Sequence, residues 1–93
     1  MDDGADIQRV EIDPDVLSRR VGDETVLVHL GRNEIFALNA TGARLWELLS
    51  QGRTLSEAAQ ELMREFDVSE EQVRTEANAL LARLADEGLV HVS

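Results

Sequence analysis

The sequence predicts an α+β fold of the winged-helix-like type, in which a three-stranded antiparallel sheet is followed by a three-helix bundle. The chain up to Leu38 alternates short runs of β-branched and apolar residues with turn residues, a pattern typical of a strand meander. From Asn39 onward, apolar residues recur at helical spacing behind capping sequences. The 93 residues suit one domain, and the absence of cysteine excludes a disulfide framework and a cysteine-based metal site.

The charge of the chain is acidic and uneven. The formal net charge is −10, every basic residue is an arginine, and residues 1–15 carry six carboxylates against Arg9 alone. Because this balance repels phosphate backbones, we expect no nucleic-acid partner. The sequence shows neither a signal peptide nor an apolar run long enough for a membrane helix, which predicts a cytoplasmic protein without a membrane partner.

The first part of the chain is expected to form an arm and three strands. Residues 1–15 are predicted to be a mobile acidic arm ahead of a domain over residues 16–93, with docking or an added edge strand at Ile7, Val10 and Ile12 as the alternative. The strands are expected over residues 17–21, 25–30 and 34–38, each separated from the next by turn residues. The strand over 34–38 comes last in the meander, so we expect one of its edges to be unpaired and able to accept another strand.

Three helices are expected after the strands. Asn39 is the predicted N-cap of the first helix, whose buried face is built around Trp46. Capping boxes over residues 54–57 and 69–72 predict the starts of the second and third helices. Gly88 is placed for the left-handed residue that ends the third helix, and the few residues after it suit a short strand.

Residues suited to catalysis are few. His29 and His91 are far apart in the sequence and each alternates with apolar residues, which is typical of surface or half-buried histidines rather than ligands. Glu70 and Glu71 fall in a first helical turn, where negative charge suits the helix dipole. No phosphate-binding loop is recognisable. We therefore expect no catalytic residue, no metal site and no cofactor.

A winged-helix arrangement also suggests a DNA-binding regulator whose last helix would enter the major groove. That helix carries the wrong charge for phosphate contacts, because five carboxylates oppose two arginines over residues 70–87. A binding module of another kind is therefore favoured. The DNA-binding regulator and a plain protein-interaction domain stay as alternatives.

The strand-to-helix junction carries a family resemblance. The run Leu38-Asn39-Ala40-Thr41-Gly42-Ala43-Arg44-Leu45-Trp46, with the strand-rich residues 26–37 before it, resembles the PqqD-like family. Members of this family are recognition elements for ribosomally made, post-translationally modified peptides, and the chain is most similar to the stand-alone leader-binding proteins of lasso-peptide pathways. The resemblance implies a non-catalytic adaptor that binds the leader of a precursor peptide and presents it to a modifying enzyme, a leader protease in the first instance.

The resemblance also implies where the peptide binds. The leader would add as a strand beside residues 34–38 and lie in a groove against the helix over residues 69–87, and an unpaired strand edge suits that mode of capture. The candidate peptide-binding residues are Glu34, Ile35, Phe36, Ala37, Leu38, Arg74, Ala77, Asn78, Leu81 and Leu84. For Ala77, Leu81 and Leu84, helical spacing leaves core and groove as open alternatives. Arg74 and Arg83 are candidates for pairing with leader carboxylates.

Overall fold

The computed structural model describes residues 10–92, and an α+β fold with a strand meander ahead of three helices is confirmed in this range. The elements are β1 (Val10–Ile12), β2 (Val16–Val21), β3 (Glu24–His29), β4 (Glu34–Leu38), α1 (Ala40–Ser50), α2 (Leu55–Phe66), α3 (Glu70–Asp86) and β5 (Val90–Val92). No helix among these is long and apolar enough to cross a membrane.

The meander forms a three-stranded antiparallel sheet in the order β2, β3, β4. Gly22, at φ +64°, makes the tight turn between β2 and β3 in a left-handed conformation that glycine adopts without strain. Leu27 in the middle of β3 is fully buried, and its cross-strand neighbours are Ser18 and Phe36. Because side chains alternate along a strand, one face of the sheet rests on the helices and the other faces solvent.

A second, two-stranded sheet pairs β1 with β5. Val10 and Ile12 pack against the hydrophobic core while Glu11 between them is exposed, which is the alternation of a half-buried strand. Residues 10–12 therefore form an added edge strand, which was the alternative to a mobile arm at these positions. The rest of the predicted arm, residues 1–9, lies outside the described residues.

The helix starts follow their capping residues. The Asn39 side chain accepts a hydrogen bond from the backbone N–H of Gly42 at 2.9 Å. Thr54 and Glu57 form the predicted reciprocal capping box ahead of α2. At α3 the capping box is only half formed: Ser69 caps the N–H of Gln72, as its Oγ lies 3.1 Å from that nitrogen. The reciprocal bond, in which the Gln72 side chain would accept the backbone N–H of Ser69, is not formed. The Gln72 amide instead donates to Glu76, one turn further along the helix.

The end of α3 is fixed by Gly88, as predicted. Gly88 has φ +79°, its N–H donates to the carbonyl of Ala85, and the N–H of Leu89 donates to the carbonyl of Leu84. These two bonds form a Schellman motif, which satisfies carbonyls that the helix leaves free. Leu84 and Leu89 are both buried, so the motif also sends the chain into the core before β5 begins.

The core lies between the meander and the helices. Trp46 is buried in it, as predicted, together with Leu45, Leu48 and Leu49 on the same helix. Buried residues of α2, α3 and the last segment complete the cluster, among them Leu62, Leu81, Leu84, Leu89 and Val90. The large apolar area removed from water at this junction is what fixes the position of α3 relative to the sheet.

Candidate functional site

The outer edge of β4 has no strand partner among the described residues, because β4 is the last strand of its sheet. Its backbone groups on that side are therefore open to pairing with an added strand. The predicted open edge is thus present in the fold.

A groove of about 320 Å³ runs between this edge and α3. One wall is β4, and all five of its predicted residues, Glu34, Ile35, Phe36, Ala37 and Leu38, line the groove. The opposite wall consists of Leu80, Arg83 and Glu87. These three residues are spaced i, i+3, i+7 and therefore share one flank of the helix.

The five predicted residues of α3 do not line this groove. Ala77, Leu81 and Leu84 are buried in the core, and Ala77 also lines a second pocket beside the groove. Asn78 lies two positions from Leu80, about 200° around the helix axis, and so occupies the opposite flank. Arg74 lies nine positions from Arg83, about half a turn away, and pairs with Glu70 at 3.1 Å.

The groove contains an aromatic residue covered by a cation. The Arg83 guanidinium carbon lies 5.3 Å from the centroid of the Phe36 ring, within the range of a cation–π contact. Phe36 packs partly against the core, so the arginine covers the part of the ring that faces the groove. The contact joins α3 to β4, and Arg83 itself lines the groove.

The Glu34 carboxylate is the unsatisfied group of this site. Its Oε1 atom is buried and has no hydrogen-bond partner among residues 10–92. Glu34 pairs across the strands with His29, a buried residue, so its side chain lies on the helix side of the sheet. A buried acceptor without a partner costs free energy, which makes it a feature that calls for a physical explanation.

A second, mostly apolar pocket of about 310 Å³ adjoins the groove at Leu80, which lines both. It lies between the start of α1 and α3, and Ala77 belongs to it. A Cβ atom at Gly42 would come within 3.4 Å of the Leu80 side chain and within 3.3 Å of the Asn39 carboxamide oxygen. Gly42 therefore allows α1 to start close to α3 and keeps this pocket open.

His29 and His91, which are far apart in the sequence, both lie next to the carboxylate of Asp13. His91 Nε2 lies 2.8 Å from Asp13 Oδ2, and His29 Nε2 lies 3.7 Å from Asp13 Oδ1. The N–H of Asp15 and the His91 ring lower the pKa of Asp13. His29 Nδ1 accepts the N–H of Arg32, which leaves the proton of the neutral ring on Nε2, facing Asp13. This cluster ties β1 and β5 to the meander.

The cluster does not have the form of a metal site. Over residues 10–92, no group of three or more His, Asp or Glu side chains is arranged to hold a metal ion. The groove beside β4 is formed by apolar residues, the two carboxylates of Glu34 and Glu87, and the guanidinium of Arg83.

These features define an α+β domain with an open sheet edge next to a helix-lined groove. A family model described as "Coenzyme PQQ synthesis protein D (PqqD)" matches residues 24–90. A solved structure, "TbiB1 in Complex with the TbiA(beta) Leader Peptide", is similar with a TM-score of 0.83 and 32% sequence identity, over 87% of this chain and 94% of that chain. No match was found among curated proteins. The chain belongs to the PqqD family, and the resemblance seen at the strand-to-helix junction is confirmed.

Proposed function

We propose that this protein is a non-catalytic adaptor that captures the leader segment of a ribosomal precursor peptide in lasso-peptide biosynthesis. The observation that carries the proposal is the free edge of β4 beside a groove formed by α3. Strand addition obtains affinity from main-chain hydrogen bonds and specificity from the pockets that alternate side chains enter. The similar structure of TbiB1, whose title names a bound leader peptide, supports a peptide of this class as the ligand.

The leader would contact the groove with every second side chain. Residues of an added strand that lie opposite Glu34, Phe36 and Leu38 share their face of the sheet and would face Leu80 and Arg83. The remaining side chains would share the solvent face with Ile35, which is 72% exposed. Peptide recognition would therefore depend on alternate leader positions.

The adaptor would act by holding the rest of the precursor near a modifying enzyme, a leader protease in the first instance. Tethering one end of a flexible peptide raises the effective concentration of the other end at a bound enzyme to the millimolar range for short linkers. Such an adaptor accelerates processing without a catalytic group of its own.

Strand addition can be tested with N-methylated peptides. The TbiA(beta) leader and leaders of other lasso precursors would first be titrated by fluorescence anisotropy, and each amide of a binding leader would then be N-methylated in turn. In an antiparallel pair every second residue directs its N–H at the neighbouring strand. We therefore expect methylation to weaken binding at alternate positions and to be tolerated between them.

Chemical-shift mapping provides the second readout. Shifts in β4 and at Leu80 and Arg83 are expected on leader addition. An N-methyl scan without a period of two, or shifts confined to α2, would contradict strand addition at β4. Absence of binding by every leader tested would contradict the proposed function itself.

A further inference from the structure

The unpartnered carboxylate oxygen lies at one end of the proposed leader groove. Glu34 begins β4, and its Oε1 is buried and accepts no hydrogen bond from the part of the chain that the structure describes. The groove brings this carboxylate together with Leu80, Arg83 and Glu87 of the facing helix. Because the buried acceptor costs free energy in the unliganded protein, a ligand that satisfies it gains more than the same contact would give in water.

The arginines nearest this end of the groove are held elsewhere. Arg32 Nη1 donates to the carbonyl oxygen of Glu87 at 2.7 Å, and the Arg32 guanidinium packs against Gly88. Arg83 lies over the Phe36 ring. Neither guanidinium forms an ion pair with Glu34 among the described residues, so a cation from outside the chain would reach the carboxylate without displacing either arginine.

We propose that Glu34 selects leader peptides that carry a lysine or arginine at the position opposite it in the added strand. The inference rests on the proposed function, since it assigns a chemical class to one leader position. Residues directly opposite each other in a sheet share a face, so this leader side chain would point at the Glu34 carboxylate. A cationic donor forms the stronger, charge-assisted type of hydrogen bond with such an acceptor.

The overall charge of the protein must be separated from this specific contact. With a net charge of −10, the protein attracts any basic peptide to some extent. Glu34→Gln keeps the shape of the side chain and removes its charge. Glu71→Gln removes the same charge from an exposed position in the first turn of α3, away from the groove, and serves as the matched control.

The first experiment is a selection from an mRNA-display library of random 14-residue peptides, with wild-type protein, Glu34→Gln and Glu71→Gln as baits. The wild type and Glu71→Gln are expected to enrich peptides with lysine or arginine at one fixed position relative to an apolar anchor. Glu34→Gln is expected to lose the basic residue at that position and to keep the anchor.

The second experiment is a double-mutant cycle between protein and peptide. One selected peptide is compared with its lysine-to-norleucine analogue on wild-type protein and on both variants. Loss of one charge-assisted hydrogen bond predicts a coupling factor of about tenfold for Glu34, and a factor close to one for Glu71. Circular dichroism is used to check that Glu34→Gln is folded before its affinity is compared.

The outcomes separate the inference from the function on which it rests. Selected peptides without a fixed basic position, or a coupling factor for Glu34 no larger than that for Glu71, would overturn the inference and leave peptide capture standing. Failure of the wild-type protein to enrich any peptide, together with failure to bind lasso leaders, would overturn both.

Discussion

The guanidinium carbon of Arg83 lies 5.3 Å from the centroid of the Phe36 ring and so joins α3 to β4 across the groove. The two residues are the only described arginine and aromatic ring in such a contact. Their position identifies which flank of α3 faces the open strand edge. Arg74, the other arginine expected to meet a leader, pairs with Glu70 on the opposite flank.

Removing Arg83 is expected to weaken leader binding. Arg83→Ala removes guanidinium donors from the groove, so we expect a several-fold loss of affinity, in line with about 0.5–1.5 kcal/mol for a lost hydrogen bond. Arg74→Ala removes the same side chain from the other flank and should leave affinity within error of wild type. Anisotropy titration of one leader with the three proteins checks this, and equal losses for both variants would contradict the assigned flank.

A charge placed on the groove flank should affect binding more than the same charge on the opposite flank. Leu80→Glu introduces a carboxylate where the groove meets the mostly apolar second pocket, and we expect about a tenfold or greater loss of leader affinity because that charge must be desolvated. Asn78→Glu is the matched variant at an exposed position. Leu81→Glu is unsuitable as a probe, since Leu81 is only 6% exposed and a buried charge would unfold the domain.

The comparison of Leu80→Glu with Asn78→Glu requires folded proteins. Leu80 is partly buried against the core, so its variant is expected to be less stable than wild type while remaining folded at room temperature. Far-ultraviolet circular dichroism and a urea titration establish this before binding is measured. Similar affinities for the two variants would show that the leader does not contact Leu80.

Trp46 is expected to be the largest single contributor to the core. It is 5% exposed and lies at the junction between the sheet and the helices. Trp46→Ala should lower the free energy of unfolding by about 3–5 kcal/mol, as large-to-small core substitutions do. Trp46→Phe keeps most of the packing and should cost clearly less. Urea denaturation followed by circular dichroism measures both, and an unchanged midpoint for Trp46→Ala would contradict its structural role.

The features of this fold that the sequence predicts are those with local determinants. The cap of α1 depends on Asn39 and a backbone N–H three residues later, and the end of α3 depends on Gly88 and its immediate neighbours. Strand β4 and its free edge follow from the order of the meander. Each of these features is encoded within a few residues, so spacing and residue type are sufficient to predict it.

The groove wall on α3 could not be predicted in the same way. Helical spacing identifies the core residues Ala77, Leu81 and Leu84, but flanking residues such as Leu80 and Asn78 are related to the sheet only through the packing of the whole helix. The meeting of His29 and His91 at Asp13 has a related cause. It depends on the pairing of two three-residue strands at opposite ends of the chain, whose short patterns carry little signal.

The Asp13 carboxylate is expected to make stability depend on pH. The N–H of Asp15 and the His91 ring hold the pKa of Asp13 below its ordinary value in the folded protein. Because the pKa is lower in the folded state, the ionised carboxylate stabilises the fold at pH values above the unfolded-state pKa of about 3.9. This stabilisation is lost as the pH falls through the folded-state pKa. Asp13→Asn should therefore lower the urea midpoint at pH 7 and have progressively less effect below about pH 4.

The control for this titration is Asp23→Asn, which removes a carboxylate from the exposed turn between β2 and β3. Because the other carboxylates of the chain titrate alike in wild type and variant, the difference between their midpoints isolates Asp13. Midpoints measured from pH 7 to pH 2.5 are expected to converge for Asp13→Asn and wild type, while Asp23→Asn stays close to wild type throughout. A gap for Asp13→Asn that is as large at pH 2.5 as at pH 7 would show that the side chain acts through packing or a neutral hydrogen bond rather than through its charge.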